Sequence, residues 1–580
     1  MAQKVRVAAT QFEIGTDLEN NLEKTVGFIR KAAQEGADLV VTPEFVNHAS
    51  WYDSPSHCFD VAVDLDGRFL QVIKDVVKDL GIHLAVNVTL RGDGEIRGSN
   101  LLIDQSGIIG RADKQVLIGH ENDFLKRARV PSPVIETPLG RIGLYSCMDG
   151  VLPETPRFLA LQGAQILCNS LNSFAFCEAD LHIPVRAAEN KVFVVAANKV
   201  GPLIPRDQLE PVSQAISIPA HFLSGAGESQ IVAPDGSILA KASLTKETII
   251  CCDIDPSQSD EKTRPDGTHI LASRKPEAYK PIASPQKKQD ELSYSSDQDA
   301  PLKVAIIQPP FADARAIDSV KGSIKESIDK GSQLMVLPEL FFAQKGHQED
   351  ESKAVSLSIA AKNAIKDVLK DSPECYVATT IISKGTDDSL SHQGIIMDHT
   401  GVIHSQDQIH AGLESGLTYQ QGKGIQTLRT PHGEWAMVVG QDSIYPETFR
   451  LAALAGAQLV VCPYEIQESW ERHLGLRERA AENRLAVVAC SRKSPIPGSL
   501  IADLSADYTI LTPWKDRTFD GRISWPLTQE IPSGPGTYFG EVHPQRAHNK
   551  ILSSNTDVIA SRAWHLSHQL TSSPTEQHHE

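Results

Sequence analysis

Three reactive side chains sit where apolar runs stop. In "ADLVVTPEF" the run ends at Glu44, "RADK" closes another with Lys114, and "GRIGLYSCMDG" ends a third at Cys147, before a helical pattern that begins near Pro153. A thiol, a carboxylate and an ammonium at three strand ends make a hydrolytic set. The carboxylate takes the thiol proton, and the ammonium stabilises a tetrahedral oxyanion. The strand-turn-helix pattern around Cys147 projects a side chain from a sheet edge and leaves nearby backbone N–H groups suited to an oxyanion. Each residue also has a plain reading of its own. A free cysteine is usually a small buried hydrophobe, Glu44 could end a strand in solvent, and Lys114 could be solvated. Spacing alone does not make the three converge.

The elements that would have to position them are short β-branched runs alternating with helical patterns. Strands are expected at 5–11, 37–43, 82–90, 99–104, 141–146, 165–170, 192–198, 228–233 and 248–254. A helix over 17–34 is signed by the capping pattern of Thr16 with Glu19 and by the stripe Leu18, Leu22, Val26 and Ile29. Further helices are expected at about 67–80, before Gly81, and at about 153–163. Each carries one apolar stripe and so covers one face of a sheet. Several strands are apolar without alternation, as sheets buried on both faces require. Two packed sheets with outer helices fit this count, and so does a single wide sheet.

The whole pattern occurs twice. "RVAATQF" is answered by "KVAIIQPPF", "ADLVVTPEF" by "SQLMVLPELF", "GIIGRADK" by "GVIHSQDQ" and "RAAENKVFVVAAN" by "RAAENRLAVVACS", at offsets of 293 to 295 residues. A register held over so many segments means two homologous domains. Residues 257–300, rich in Ser, Asp, Lys, Gln and Pro, read as a polar linker, and 546–580 as a polar, His-rich tail that frays or drapes over a neighbour. The expected order is 1–256, linker 257–300, 301–545, tail 546–580.

A chain of 580 residues is long enough for such a duplication. Its formal charge of -17 argues against a nucleic-acid partner. No apolar run reaches the roughly 18 residues needed to span a bilayer, and "MAQKVRVAATQF" has no apolar signal region. Nine cysteines without a C-x-x-C pair argue against a disulfide framework or zinc site, and for a reducing, cytoplasmic compartment.

The order of "PEF" with Glu44, "DK" with Lys114, "SCMD" with Cys147 and then "PETPRFLALQGAQ" resembles the nitrilase, or carbon-nitrogen hydrolase, superfamily. "RAAEN" (186–190), "VAAN" (195–198) and "GESQIVAPDGSILA" (227–240) match further family segments. The resemblance covers 4–255 and, more weakly, 303 to about 540. It implies an α/β architecture of two tandem αββα sandwich domains with a Glu-Lys-Cys triad acting at a non-peptide C–N bond. On that resemblance Cys147 attacks the carbonyl or nitrile carbon and ammonia or an amine leaves. Glu44 is the general base and later activates water, while Lys114 and the backbone N–H of Met148 hold the oxyanion. The family often has a second glutamate after the lysine. Glu121 in "IGHENDF" fits that place, to orient Lys114 or the substrate, unless it is a solvated loop residue. The basic and cationic neighbours would raise the thiolate fraction of Cys147. No metal or organic cofactor is required.

Where nitrile-hydrolysing members resemble "CWE", this chain has "CMD", and Asp149 is closer to the amidase and N-carbamoyl-amide hydrolase branches. An amidase releasing ammonia through a Cys147 acyl-enzyme is therefore expected, with a small amide-type substrate. N-carbamoyl-amide hydrolase, nitrile hydrolase and acyltransferase are alternatives, and a non-catalytic scaffold is the rival from another class. Met148, on the leaving-group side, and Asp149 are expected to contact the substrate. Phe174 and Phe176, in "SLNSFAFCEADLH" (170–182), fall where the family builds its acyl pocket, and Cys177 beside them reads as structural. In the second half the matching residues are Glu339, Gln408 and Gly440. That half lacks a nucleophile but keeps "YPETFRLAALAGAQ" and "RAAEN"; Cys462 and Cys490 read as core. It is expected to pair with the first domain as family members pair, further homo-oligomers remaining open. A regulatory ligand at Glu339 is the rival role.

Overall fold

Strand β1 (Val5–Gln11) shows how one apolar run serves two layers. Its odd residues Val5, Val7 and Ala9 face a second sheet, while Ala8 packs outward under helices. A strand buried on both faces has no polar alternation to show. The computed structural model describes residues 4–286, 299–343, 351–410, 419–492, 494–510 and 512–572.

Two units can be separated by their internal contacts. The first is Met1–Lys262 with Asp507–Ser524 and Ile551–Ser567; the second is Thr263–Ala506 with Trp525–Lys550 and His568–Glu580. After β1, the first unit continues through β2 (Leu39–Val41), β3 (His83–Gly92), β4 (Glu95–Asp104), β5 (Gly107–Asp113) and β6 (Val134–Thr137). There follow β7 (Gly140–Ser146), β8 (Ile166–Ser170), β9 (Phe193–Ala197), β10 (Gln230–Val232), β11 (Ile238–Lys241) and β12 (Thr248–Ile254). They form two six-stranded sheets, β12-β1-β2-β3-β4-β5 and β11-β10-β9-β8-β7-β6. The centres are parallel: β2 lies between β1 and β3, and β8 between β7 and β9. Val7, Val41 and Ala85 of one sheet meet Leu144, Ile166 and Val195 of the other. Outside, Leu22, Phe28 and Ile29 of helix Leu18–Gln34 and Phe69, Leu70 and Ile73 of helix Arg68–Leu80 cover Val40, Leu84 and Val86. The architecture is thus an αββα sandwich.

The first helix is capped differently from the expected pattern. Asp17 is the N-cap, its Oδ1 accepting from Asn20 N at 2.8 Å, so the Thr16–Glu19 box does not form. A carboxylate one residue on satisfies the same orphan donors and complements the helix dipole.

The second unit repeats the plan. Its strand Leu302–Gln308 lies between antiparallel Gly536–Val542 and parallel Leu334–Val336, as β1 lies between β12 and β2. Leu459–Tyr464 pairs in parallel with Ala486–Ser491, as β8 does with β9. Cys462 and Cys490 are buried in these two strands.

The unit boundaries differ from the contiguous order expected. Asp507–Ser524 belongs to the first unit, and so does Ile551–Ser567 from the stretch read as a tail. That stretch buries Leu552, Val558, Ala563 and Leu566 among its polar residues, and average composition hides so few apolar anchors. Within the expected linker, Pro256–Asp260 and Pro276–Ala283 form short 3-10 turns, the latter burying Tyr279 and Ile282 in the second unit. The rest of the linker at 287–298 and of the tail at 573–580 lies outside the described residues. Among the described residues no helix is long and apolar enough to cross a membrane.

Candidate active site

The three strand ends converge in the first unit. Glu44 follows β2, and its backbone N donates to Leu171 O at 3.1 Å, which ties this turn to the end of β8 in the other sheet. Lys114 follows β5, its N donating to Gly98 O at 2.8 Å. Both side chains are fully buried, and Lys114 Nζ lies 2.8 Å from Glu44 Oε1 and 2.8 Å from Glu121 Oε1. Glu121 Oε2 also accepts from Ile118 N at 3.1 Å, so Glu121 is a fixed member of the site and not a solvated loop residue.

Cys147 stands on a sharp elbow after β7, at φ +48° and ψ -109°. A non-glycine residue there stores about 1–3 kcal/mol, which its surroundings must hold in place. Cys147 N donates to Ser170 O and to Asn169 Oδ1, each at 3.1 Å. Arg186 clamps the turn from the far side, its Nε donating to Gly150 O at 2.8 Å and its Nη2 to Val151 O at 2.9 Å. Glu189 holds that arginine at 2.6 Å. This is the physical content of "RAAEN": an Arg and a Glu one helical turn apart, both buried and paired.

Asp149 does not line the cavity as a substrate contact. Its Oδ1 accepts from Gln115 N at 3.0 Å and Val116 N at 2.8 Å, the two residues after Lys114. It therefore locks the loop of the thiol to the loop of the ammonium. Phe174 and Met148 line the cavity beside Cys147, whereas Phe176 packs on the ring of Phe222, with its N donating to Gly521 O at 2.9 Å. Cys177 is buried. The cavity holds about 240 Å³ and opens over Cys147 and Glu121.

Burial lifts the Glu44 carboxyl to about 7, against the pull of Lys114 and with a push from Glu121. Burial disfavours the charge on Lys114 too, but Glu121 and Glu44 outweigh it and hold the ammonium well above its usual range. Burial, then Glu44, push the Cys147 thiol up, and Lys114 only partly offsets them. The surroundings thus favour a neutral thiol beside a carboxylate that titrates near neutrality, where a raised thiolate fraction is expected from the sequence. Such a pair can pass a proton during attack. Lys199, directly after "VAAN", joins the site without a mark in the sequence. It is buried, its Nζ lies 5.9 Å from the Phe45 ring centroid, and burial brings it down to about 7 despite Glu44 and Cys147 nearby. Among the described residues no group of three His, Cys, Asp or Glu side chains is arranged to hold a metal ion.

The second unit keeps the frame with other residues at the matching positions. Gly440 has φ +54°, the elbow conformation of Cys147 without its cost. A Cβ added there would collide with Glu339 Oε1 and meet Gln408 Nε2 at 2.8 Å. Gln408 Oε1 lies 3.1 Å from His392 Nδ1, and His392 Nε2 lies 3.6 Å from Glu339 Oε1. Burial lowers His392 to about 4, so it is neutral.

The family model "Carbon-nitrogen hydrolase" matches residues 6–263 and again 303–518. The nitrilase of Pyrococcus abyssi is 26% identical over 262 residues, covering 45% of this chain and 93% of that protein. The omega-amidase NIT2-B of Xenopus laevis is 27% identical over 272 residues, covering 43% of this chain and 89% of its own. Among solved structures, Saccharomyces cerevisiae Nit3, of branch 10 of the nitrilase superfamily, matches at 23% identity with a TM-score of 0.38, covering 44% of this chain and 92% of that one. With both halves matched by one model, and each built as the same sandwich, the chain belongs to the carbon-nitrogen hydrolase family as a tandem duplication.

Proposed function

We propose that this carbon-nitrogen hydrolase is an amidase that works through a Cys147 acyl-enzyme. The observation that carries the reading is the buried row Glu44–Lys114–Glu121 beside a thiol on a strained elbow, at the floor of a cavity. Three buried charges without a use would be costly to keep.

Glu44 takes the proton of Cys147 as sulfur bonds to the amide carbon and the carbonyl π pair moves onto oxygen. Lys114 and the Met148 backbone N–H stabilise that oxyanion. The protonated Glu44 then gives its proton to the leaving nitrogen, the C–N bond breaks, and ammonia departs, leaving a thioester. Water, deprotonated by Glu44, attacks the thioester; the C–S bond breaks and the proton returns to sulfur. Glu121 keeps Lys114 charged and aimed. Because the resting thiol is neutral, proton transfer accompanies each step and no standing thiolate is needed. The second unit, with Gly440 and the neutral Gln408 in place of thiol and ammonium, carries no turnover.

The test is ammonia release from primary amides, N-carbamoyl compounds and nitriles, with Cys147→Ala run beside the wild type. Release confined to amides and lost in the variant supports the reading. Release from nitriles alone would move it to another branch, and release that survives Cys147→Ala would overturn it.

A further inference from the structure

We infer that the acyl-selecting wall of the first unit's cavity is built by sequence from the far end of the chain, and that it selects an uncharged, apolar acyl group. This rests on the amidase reading above and names its substrate class. Ile510, Ile523, Ser524, Leu552 and Ser553 line the cavity, although they lie more than 350 residues beyond Cys147.

These residues are fixed there by a continuous set of contacts. Ile510 N donates to Leu552 O at 2.7 Å, joining the two segments. Ile523 N donates to Cys177 Sγ at 3.1 Å, and Ser524 Oγ lies 3.0 Å from His182 Nε2. Arg522 pairs with Asp180 at 2.9 Å, and the Phe519 ring packs edge-on against Phe222 at 5.1 Å. On the other side, Gly119 N donates to Thr556 Oγ1 at 2.9 Å, two residues from the loop glutamate Glu121. Ile510, Ile523 and Leu552 are each less than a tenth exposed, so the wall is packed and not merely laid over the opening.

The chemistry of the lining chooses the substrate. Ile510, Ile523 and Leu552 line the cavity together with Leu203, Ile204 and Leu223. Among the described lining residues there is no lysine or arginine, while Glu121 and Glu178 contribute carboxylates. An acyl group ending in a carboxylate would be desolvated against apolar walls beside these two carboxylates, with only the imidazoles of His120 and His182 in the lining to meet it. An alkyl or aryl chain would instead bury its surface there.

The experiment uses the full chain and a homologous series: acetamide, butyramide, hexanamide, phenylacetamide and the anionic succinamic acid. Ammonia release is read for the wild type, Leu552→Ala, Leu552→Val and Ile523→Ala. In parallel, each amide is tested for protection of Cys147 against iodoacetamide, which reads binding without turnover. In the wild type kcat/KM should rise about fourfold per methylene until the cavity is filled, and succinamic acid should be the poorest. The loss in Leu552→Ala and Ile523→Ala should grow with chain length, with Leu552→Val between. A loss equal for acetamide and hexanamide, or a preference for succinamic acid, would overturn the wall. If no amide released ammonia yet hexanamide protected Cys147 and Leu552→Ala removed that protection, the wall would stand and the amidase reading would fall.

Discussion

The two units differ at the reactive atoms and agree at the atoms that hold the backbone. Asp149 accepts from Gln115 N and Val116 N; Asp442 accepts from Ile409 N at 2.9 Å and His410 N at 2.8 Å. Arg186 pairs with Glu189, and Arg479 with Glu482 at 3.0 Å, both pairs buried. Glu44, Lys114 and Cys147 are answered by Glu339, Gln408 and Gly440. The lesson is energetic. A pinning carboxylate satisfies buried backbone N–H groups, and its loss leaves each unpaired at about 1–3 kcal/mol. Glycine in the place of Cys147 removes the strain of that elbow. The frame is thus shared by both copies, while the residues at the three strand ends differ.

Four experiments would break or sharpen this contrast. The largest effect is expected from Cys147→Ala, which should lower kcat by at least about 10⁴-fold. Gly440→Cys in that background should restore nothing, because Gln408 supplies no ammonium where the first unit has Lys114; recovered ammonia release would mean that a thiol alone suffices there. Next, Glu44→Gln should cost about 10²–10⁴-fold in kcat as the proton acceptor is removed. Glu339→Gln should leave kcat unchanged, and an equal loss would erase the distinction between the units.

The third compares the pins. Asp149→Ala and Asp442→Ala should each destabilise the protein by about 2 kcal/mol, read by urea unfolding. Only Asp149→Ala should also lower kcat, since it alone places a lysine against a thiol. The smallest effect is on pH dependence. Glu44 must be ionised to accept the thiol proton, and its pKa is raised to about 7, so kcat/KM should rise with pH through about 7 and be low at pH 5. Lys199 favours the ionised Glu44. Lys199→Met should therefore move this limb upward by about half a pH unit, whereas a merely structural lysine would change the amplitude and leave the limb in place.

Much of the candidate site's arrangement is legible because strand ends are. Glu44, Lys114 and Cys147 each follow an apolar run, and the resemblance adds Glu121 seven residues after the lysine. Several strands of the first unit fall within a few residues of their expected bounds; the edge strands Val134–Thr137 and Ile238–Lys241 were not foreseen, being short and half-exposed. Asp149 was read as a substrate contact because its neighbour is a nucleophile, and nothing in a linear string shows that its partners are backbone atoms 33 and 34 residues earlier. Lys199 carries no local mark beyond its place after a buried strand. The membership of 507–524 and 551–567 was the least readable feature. It depends on anchors such as Phe519, Ile523 and Leu552 meeting a surface made hundreds of residues earlier, which no local composition records.

That membership sets an order of events during synthesis. When residue 262 leaves the ribosome, the strands of both sheets and Glu44, Lys114 and Cys147 have been made, but Ile510, Ile523 and Leu552 have not. The thiol is formed early and its chamber is finished late. A chain halted in translation after its first half would carry the Cys147 thiol without Ile510, Ile523 and Leu552, and only near-complete translation supplies them.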